Sequence, residues 1–194
     1  MRWNLPLALT VGRVLAIPAV LALFYLPLPH ARQWACVLYS AAAITDWLDG
    51  YLARRWNQTS KFGAFLDPVA DKLMVAVCLV SLLHAAPTTM SENMKGVLTA
   101  MVAIIIGREI TVSALREWMA ELGERTSVGV SWIGKLKTGF QMTAIGMMIW
   151  EIPTWGLPWY DMGYWLLTVA AVLTLYSMVQ YLLAAWPMMK ESKP

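Results

Sequence analysis

Apolar residues run along the chain in long blocks that charged residues rarely enter. The clearest uncharged stretches are Val14–Ala31, Leu73–Ser91 and Met162–Met189. Crossing a hydrocarbon core takes ~20 helical residues at 1.5 Å rise per residue, and each stretch is long enough or nearly so. Hydropathy windows predict six helices, at about 7–28, 33–56, 63–86, 96–120, 134–152 and 163–186. Turn formers separate them: Pro27 and Pro29 after the first, Pro87 with Thr88 and Thr89 after the third, and Pro153 to Pro158 after the fifth. The expected fold is all-α and integral to a membrane, with six transmembrane helices in a single domain over 1–194. Six spans and short connections use up the 194 residues, so no separate soluble domain is expected.

Composition agrees with the pattern. Hydrophobic residues make up 59% and charged residues 14%, against roughly 45–50% and about 25% in an ordinary soluble domain. A soluble globular enzyme is thereby excluded as the default class. The net charge of +3 is small and its basic residues are scattered, which argues against a nucleic-acid partner. Cys36 and Cys78 lie within apolar stretches, where a thiol behaves as a small hydrophobe. Arg2 followed by an apolar run resembles a signal peptide. Arg13 interrupts that run and no small-residue cleavage site follows, so an uncleaved first span is expected.

Charge then orients the helices. Alternating six spans across a bilayer places Arg2, Arg13, Arg54, Arg55, Lys61, Lys72, Arg108, Arg116, Arg125, Lys135, Lys137, Lys190 and Lys193 at one face, and only Arg32 and Lys95 at the other. Basic residues collect on the cytoplasmic side, so the termini and the loops near 55–62 and 121–133 are expected in the cytoplasm. Trp150, Trp155, Trp159, Tyr160, Tyr164 and Trp165 cluster on the opposite side as an interfacial aromatic belt.

Four helices become polar at the same face. The second carries Asp46, Asp49 and Arg54; the third Asp67, Asp71 and Lys72; the fourth Arg108, Glu109 and Arg116; the fifth Lys135 and Lys137. Ionisable side chains are expensive against lipid, so they should face one another or a wet cavity. A cytoplasm-facing polar chamber is the expectation. Asp46 and Asp49 are spaced i,i+3 and Asp67 and Asp71 i,i+4, so each pair shares a helix face. Carboxylates gathered at one depth repel by ~4 kcal/mol per pair at 4 Å and an effective dielectric of ~20, so cations must sit among them. Lys and Arg in a salt-bridge network are one solution. A divalent metal is the other, since Mg²⁺ and Mn²⁺ prefer carboxylate oxygens, and four carboxylates can hold two ions ~3.5–4 Å apart. Gly50, Ala53 and Gly63 are small enough to let helices pack closely, or to let a bulky ligand lie against the backbone.

The eight residues Asp46, Asp49, Gly50, Ala53, Arg54, Gly63, Asp67 and Asp71 stand in the spacing D-x2-D-G-x2-A-R-x8-G-x3-D-x3-D. This pattern resembles the signature of the CDP-alcohol phosphotransferase family at every fixed position. The resemblance implies a six-helix membrane enzyme, a homodimer, that displaces CMP from a CDP-linked lipid by an alcohol. It implies Asp46, Asp49, Asp67 and Asp71 as ligands of two Mg²⁺ or Mn²⁺ ions, and Asp71 also as the general base. It implies Gly50, Ala53, Arg54 and Gly63 as contacts of the CDP-lipid. Residues 4–6, 9–13, 53–58, 107–110, 113–123 and 131–138 resemble proteobacterial members of the family, which implies the bacterial inner membrane as location.

The family motif leaves the acceptor open; the fourth and fifth helices inform it. Arg108, Arg116, Lys135 and Lys137 form a cationic set suited to a phosphorylated alcohol, with Glu109 orienting Arg108. The expected reaction takes CDP-diacylglycerol and sn-glycerol 3-phosphate to phosphatidylglycerophosphate and CMP. Inositol phosphate, serine or phosphatidylglycerol as acceptor is the alternative within the family. A cation-coupled transporter is the alternative outside it, since intramembrane carboxylates also bind transported ions.

Overall fold

The computed structural model describes residues 5–56, 61–121 and 132–191, some of the helical positions as backbone alone. Among the described residues six helices follow one another: α1 (Leu5–Tyr25), α2 (Ala31–Trp56), α3 (Lys61–His84), α4 (Glu92–Glu121), α5 (Trp132–Trp150) and α6 (Trp159–Glu191). No strand occurs among the described residues, and the all-α fold class expected from hydropathy is the one observed. Among the described residues three helices contain segments long and apolar enough to cross a membrane by length and composition: Ala8–Tyr25, Glu92–Met119 and Trp159–Leu183. They support a membrane protein.

Helix ends depart from the hydropathy windows for local reasons. α4 begins at Glu92, ahead of the predicted 96, because Ser91 caps it, its Oγ accepting from Met94 N at 3.4 Å. Glu92 and Lys95 then pair at 2.8 Å across the first turn. Hydropathy discounts such polar first turns, yet they are what lets a helix start. α6 likewise begins at Trp159, immediately after Pro158. α5 stops at Trp150, where Glu151 takes a left-handed φ of 58°.

The chain forms two compact units, 1–89 with 145–163, and 90–144 with 164–194. In the first unit α1 packs against both α2 and α3. The buried positions of α1 are Thr10, Arg13, Ile17 and Val20, one stripe at helical spacing. Buried on the helices that α1 packs against are Ala35, Tyr39 and Ala42 of α2 and Ala70, Met74 and Cys78 of α3, with alanines among them where helices approach closely. Arg32 at the start of α2 closes the end of α5. Its guanidinium donates to the carbonyls of Met148 at 3.1 Å and Ile149 at 3.3 Å, and pairs with Glu151 at 3.1 Å. Trp150 Nε1 donates to Thr154 Oγ1 and Trp159 Nε1 to the Thr154 carbonyl, which fastens the turn between α5 and α6. The two basic residues set apart by the charge distribution, Arg32 and Lys95, therefore both serve helix ends.

In the second unit each helix carries a buried stripe that turns from apolar to polar along its length. On α4 it runs through Leu98, Met101, Ile105 and Arg108; on α6 through Leu167, Ala170, Thr174, Ser177 and Tyr181. On α5, running the other way, Ala144 gives way to Gln141 and Lys137. Thr174 and Ser177 satisfy their hydroxyls on carbonyls of α6 itself, at 2.6 and 2.9 Å.

Candidate active site

The first unit holds the acidic motif. Asp46 lies on α2, and Asp67 and Asp71 lie on α3, all three partly exposed. Asp46 is ion-paired to Arg13 of α1, whose side chain is 2% exposed against 44% for the aspartate. Thr10, one turn before Arg13, donates its hydroxyl to Asp67 Oδ1 at 2.5 Å. Residues three apart on a helix are neighbours on its surface. A single face of α1 thus reaches a carboxylate from α2 and another from α3, and so brings the two halves of the motif to one place. The helical spacing of the motif aligns each pair; α1 joins the pairs.

Gly63 is buried in the first turn of α3, and Pro68 lies within that helix, which continues through it. Asp49, Gly50, Ala53 and Arg54 ride on α2 and Lys135 on α5, and their side chains lie outside the described residues.

Carboxylate oxygens are the donors that hard divalent cations prefer, so the chemistry of Asp46, Asp67 and Asp71 fits Mg²⁺ or Mn²⁺. Among the described residues no group of three His, Cys, Asp or Glu could hold a metal ion. The fourth carboxylate of the motif, Asp49, falls outside that description.

The second unit holds the basic set. Glu109 Oε1 accepts from Arg108 Nη1 at 3.0 Å and from Lys137 Nζ at 2.9 Å. Lys137 is 2% exposed and Arg108 is also buried. Two buried cations on one carboxylate leave a positive excess in a low-dielectric setting, where an anion is strongly favoured. Arg108 Nε, buried, has no hydrogen-bond partner among the described residues. Arg116, two turns beyond Arg108, donates through Nη2 to the Tyr181 hydroxyl at 2.8 Å. Both guanidiniums lie over the Tyr181 ring, Arg108 at 5.6 Å from its centroid and Arg116 at 5.2 Å. Arg108, Arg116 and Lys137 are therefore brought together by Glu109 and Tyr181.

The charge pattern assigns Arg13 to topology and gives no role to Thr10 or Tyr181. For Arg13 a signal was present: it is the one charged residue in the 21 residues of α1, where an ionisable group must find a partner. Thr10 was legible only through its spacing from Arg13. Tyr181 gives no local signal, because an aromatic residue in an apolar helix is ordinarily packing.

An all-α fold with carboxylates on α2 and α3 and clustered cations on α4 and α5 fits an enzyme that handles phosphorylated lipids. The family model of the CDP-alcohol phosphatidyltransferases matches residues 3–187, and the chain belongs to that family. Among its relatives, a protein of Salmonella choleraesuis (strain SC-B67) is 50% identical over 185 residues, covering 95% of this chain and 96% of its own. Proteins of Shigella flexneri and Escherichia coli (strain K12) are each 49% identical over the same lengths. All three are named CDP-diacylglycerol–glycerol-3-phosphate 3-phosphatidyltransferase.

Proposed function

We propose that this chain is a phosphatidyltransferase of phospholipid biosynthesis, a single catalytic domain over 1–194 that converts CDP-diacylglycerol and sn-glycerol 3-phosphate to phosphatidylglycerophosphate and CMP. The observation that carries the choice of acceptor is the gathering of Arg108 and Lys137 on Glu109 and of Arg116 on Tyr181. A neutral alcohol needs no such set; a phosphomonoester does. The names of relatives at about half identity over nearly the whole chain support the same reading.

In this reading the primary hydroxyl of sn-glycerol 3-phosphate attacks the phosphorus that bears the diacylglycerol. Asp71 accepts the hydroxyl proton, the bond from that phosphorus to the CMP oxygen breaks, and CMP leaves with the electron pair. Asp46, Asp49, Asp67 and Asp71 would hold two divalent cations, Mg²⁺ or Mn²⁺, which when bound neutralise the pyrophosphate oxygens and the charge growing on CMP. Arg54 pairs with phosphate oxygens of the CDP-lipid, while Gly50, Ala53 and Gly63 leave room for its headgroup. Arg108, Arg116, Lys135 and Lys137 bind the acceptor phosphate, and Glu109 holds Arg108 and Lys137 in place for it. The acyl chains stay in the bilayer, which explains why a transferase with a water-soluble acceptor is built into a membrane. The basic face, with both termini, lies on the cytoplasmic side of the bacterial inner membrane, as the distribution of Lys and Arg supports. The enzyme is a homodimer in this reading.

The test is CMP release by purified enzyme with CDP-diacylglycerol and, in parallel, sn-glycerol 3-phosphate, inositol phosphate, serine and phosphatidylglycerol. Turnover is expected with sn-glycerol 3-phosphate alone, lost on chelation with EDTA and restored by Mg²⁺ or Mn²⁺. Turnover with another acceptor instead would overturn the assignment while leaving the family membership untouched.

A further inference from the structure

Tyr181 touches both arginines of the basic set. Its hydroxyl accepts from Arg116 at 2.8 Å, and its ring lies 5.6 Å below Arg108 and 5.2 Å below Arg116. It is 7% exposed, on the polar end of the buried stripe of α6. Two guanidiniums repel one another, and Glu109 pairs with Arg108 and Lys137. An aromatic face attracts cations without neutralising them. A carboxylate in the same place would also gather the arginines, but it would compete with an incoming phosphate. A tyrosine gathers them and leaves their charge available.

We infer that Tyr181 is a positioning residue for the acceptor, holding Arg108 and Arg116 in a phosphate-ready arrangement through its ring and its hydroxyl. The inference rests on the acceptor assignment made above. The two arginines come from one helix, two turns apart, and each has several rotatable bonds to lose on binding. Fixing them beforehand lowers that loss, so Tyr181 acts on the affinity for the phosphorylated alcohol rather than on the chemical step.

The experiment compares wild type, Tyr181→Phe, Tyr181→Leu and Arg116→Ala in the CMP-release assay, varying sn-glycerol 3-phosphate and CDP-diacylglycerol separately and following the thermal transition of each protein. Tyr181→Phe removes the hydroxyl and keeps the ring. It is expected to raise KM for sn-glycerol 3-phosphate by about tenfold, the weight of one hydrogen bond to a charged group. KM for CDP-diacylglycerol and kcat are expected to stay within about twofold. Tyr181→Leu removes both contacts and is expected to raise the same KM by about a further tenfold. Inorganic phosphate, used as a competitor, is expected to lose affinity in the same order. Should Tyr181→Leu fail to fold, Tyr181→Phe decides alone. An unchanged KM for sn-glycerol 3-phosphate in Tyr181→Phe, or an equal rise in KM for CDP-diacylglycerol, overturns the inference. If Arg116→Ala raises the acceptor KM while Tyr181→Phe does not, only the role of Tyr181 falls. Absence of turnover with sn-glycerol 3-phosphate in wild type removes the functional reading and this inference with it.

Discussion

The two charged clusters are built by opposite means. In the first unit carboxylates on α2 and α3 are met by α1, which supplies a buried cation to Asp46 and a hydroxyl to Asp67. In the second unit cations on α4 and α5 are met by the Glu109 carboxylate and by the ring of Tyr181. One cluster is acidic with a basic brace; the other is basic with an acidic and an aromatic brace. Each brace is weaker in charge than the set it holds, so each cluster retains an excess of its own sign. That is the condition for binding an external counter-ion, which in the proposed function is a metal cation for the first and a phosphate for the second. A fully matched salt-bridge network would hold the helices equally well and bind nothing.

The comparison breaks most visibly at Asp71. If the acidic cluster performs the proton transfer, Asp71→Asn lowers CMP release by about 10³-fold, the scale of a lost general base, with the helix content by circular dichroism unchanged. Retention of wild-type release would remove Asp71 from the chemistry. Next in size is Glu109→Gln, which takes the carboxylate from two cations, one of them the buried Lys137. A rise in KM for sn-glycerol 3-phosphate of about tenfold or more is expected, together with a stability loss of about 3 kcal/mol in chemical denaturation, since breaking a buried pair leaves uncompensated charge. A loss confined to kcat would mean that Glu109 serves the reaction and not the acceptor.

Arg13→Gln tests the brace of the acidic side. Asp46 is nearly half exposed and can recover hydration, so the expected loss of stability is smaller, about 2 kcal/mol. Arg13→Lys keeps the charge without the fork and should recover part of it. Mn²⁺ binding followed by electron paramagnetic resonance gives a second readout, because the arginine and a metal draw on the same carboxylate; the direction of change shows whether Arg13 organises Asp46 or competes for it. Thr10→Val is the mildest change, close to isosteric, and removes the 2.5 Å hydrogen bond to Asp67. About 1 kcal/mol is expected, read as a small shift in the thermal transition. An effect as large as that of Arg13→Gln would show that the hydroxyl, and not the ion pair, holds α1 to the motif.

Most of the architecture was legible from periodicity. All six helices overlap the stretches that hydropathy predicts, because a long apolar run has few other ways to satisfy its backbone. Their ends were less legible. Ser91 capping α4 and Glu151 closing α5 are single-residue events that a window of many residues averages away. The acidic motif was legible because its spacing is itself helical geometry: i,i+3 and i,i+4 pairs need no tertiary information to share a face. The grouping of Arg108 and Lys137 on one oxygen of Glu109 was not, since the lysine lies 28 residues further along the chain and on another helix.

What the sequence determined by itself is therefore the set of local alignments: which residues form helices, which faces carry charge, and which eight positions make up the family motif. Only the tertiary structure decided the braces. Thr10 with Asp67 and Arg116 with Tyr181 stand 57 and 65 residues apart, and no local rule of helix geometry relates such positions. The physical reason is the range of the forces involved. Backbone periodicity acts over a few residues and can be read along the chain, whereas a buried charge takes its partner from whichever helix the packing of apolar stripes brings alongside.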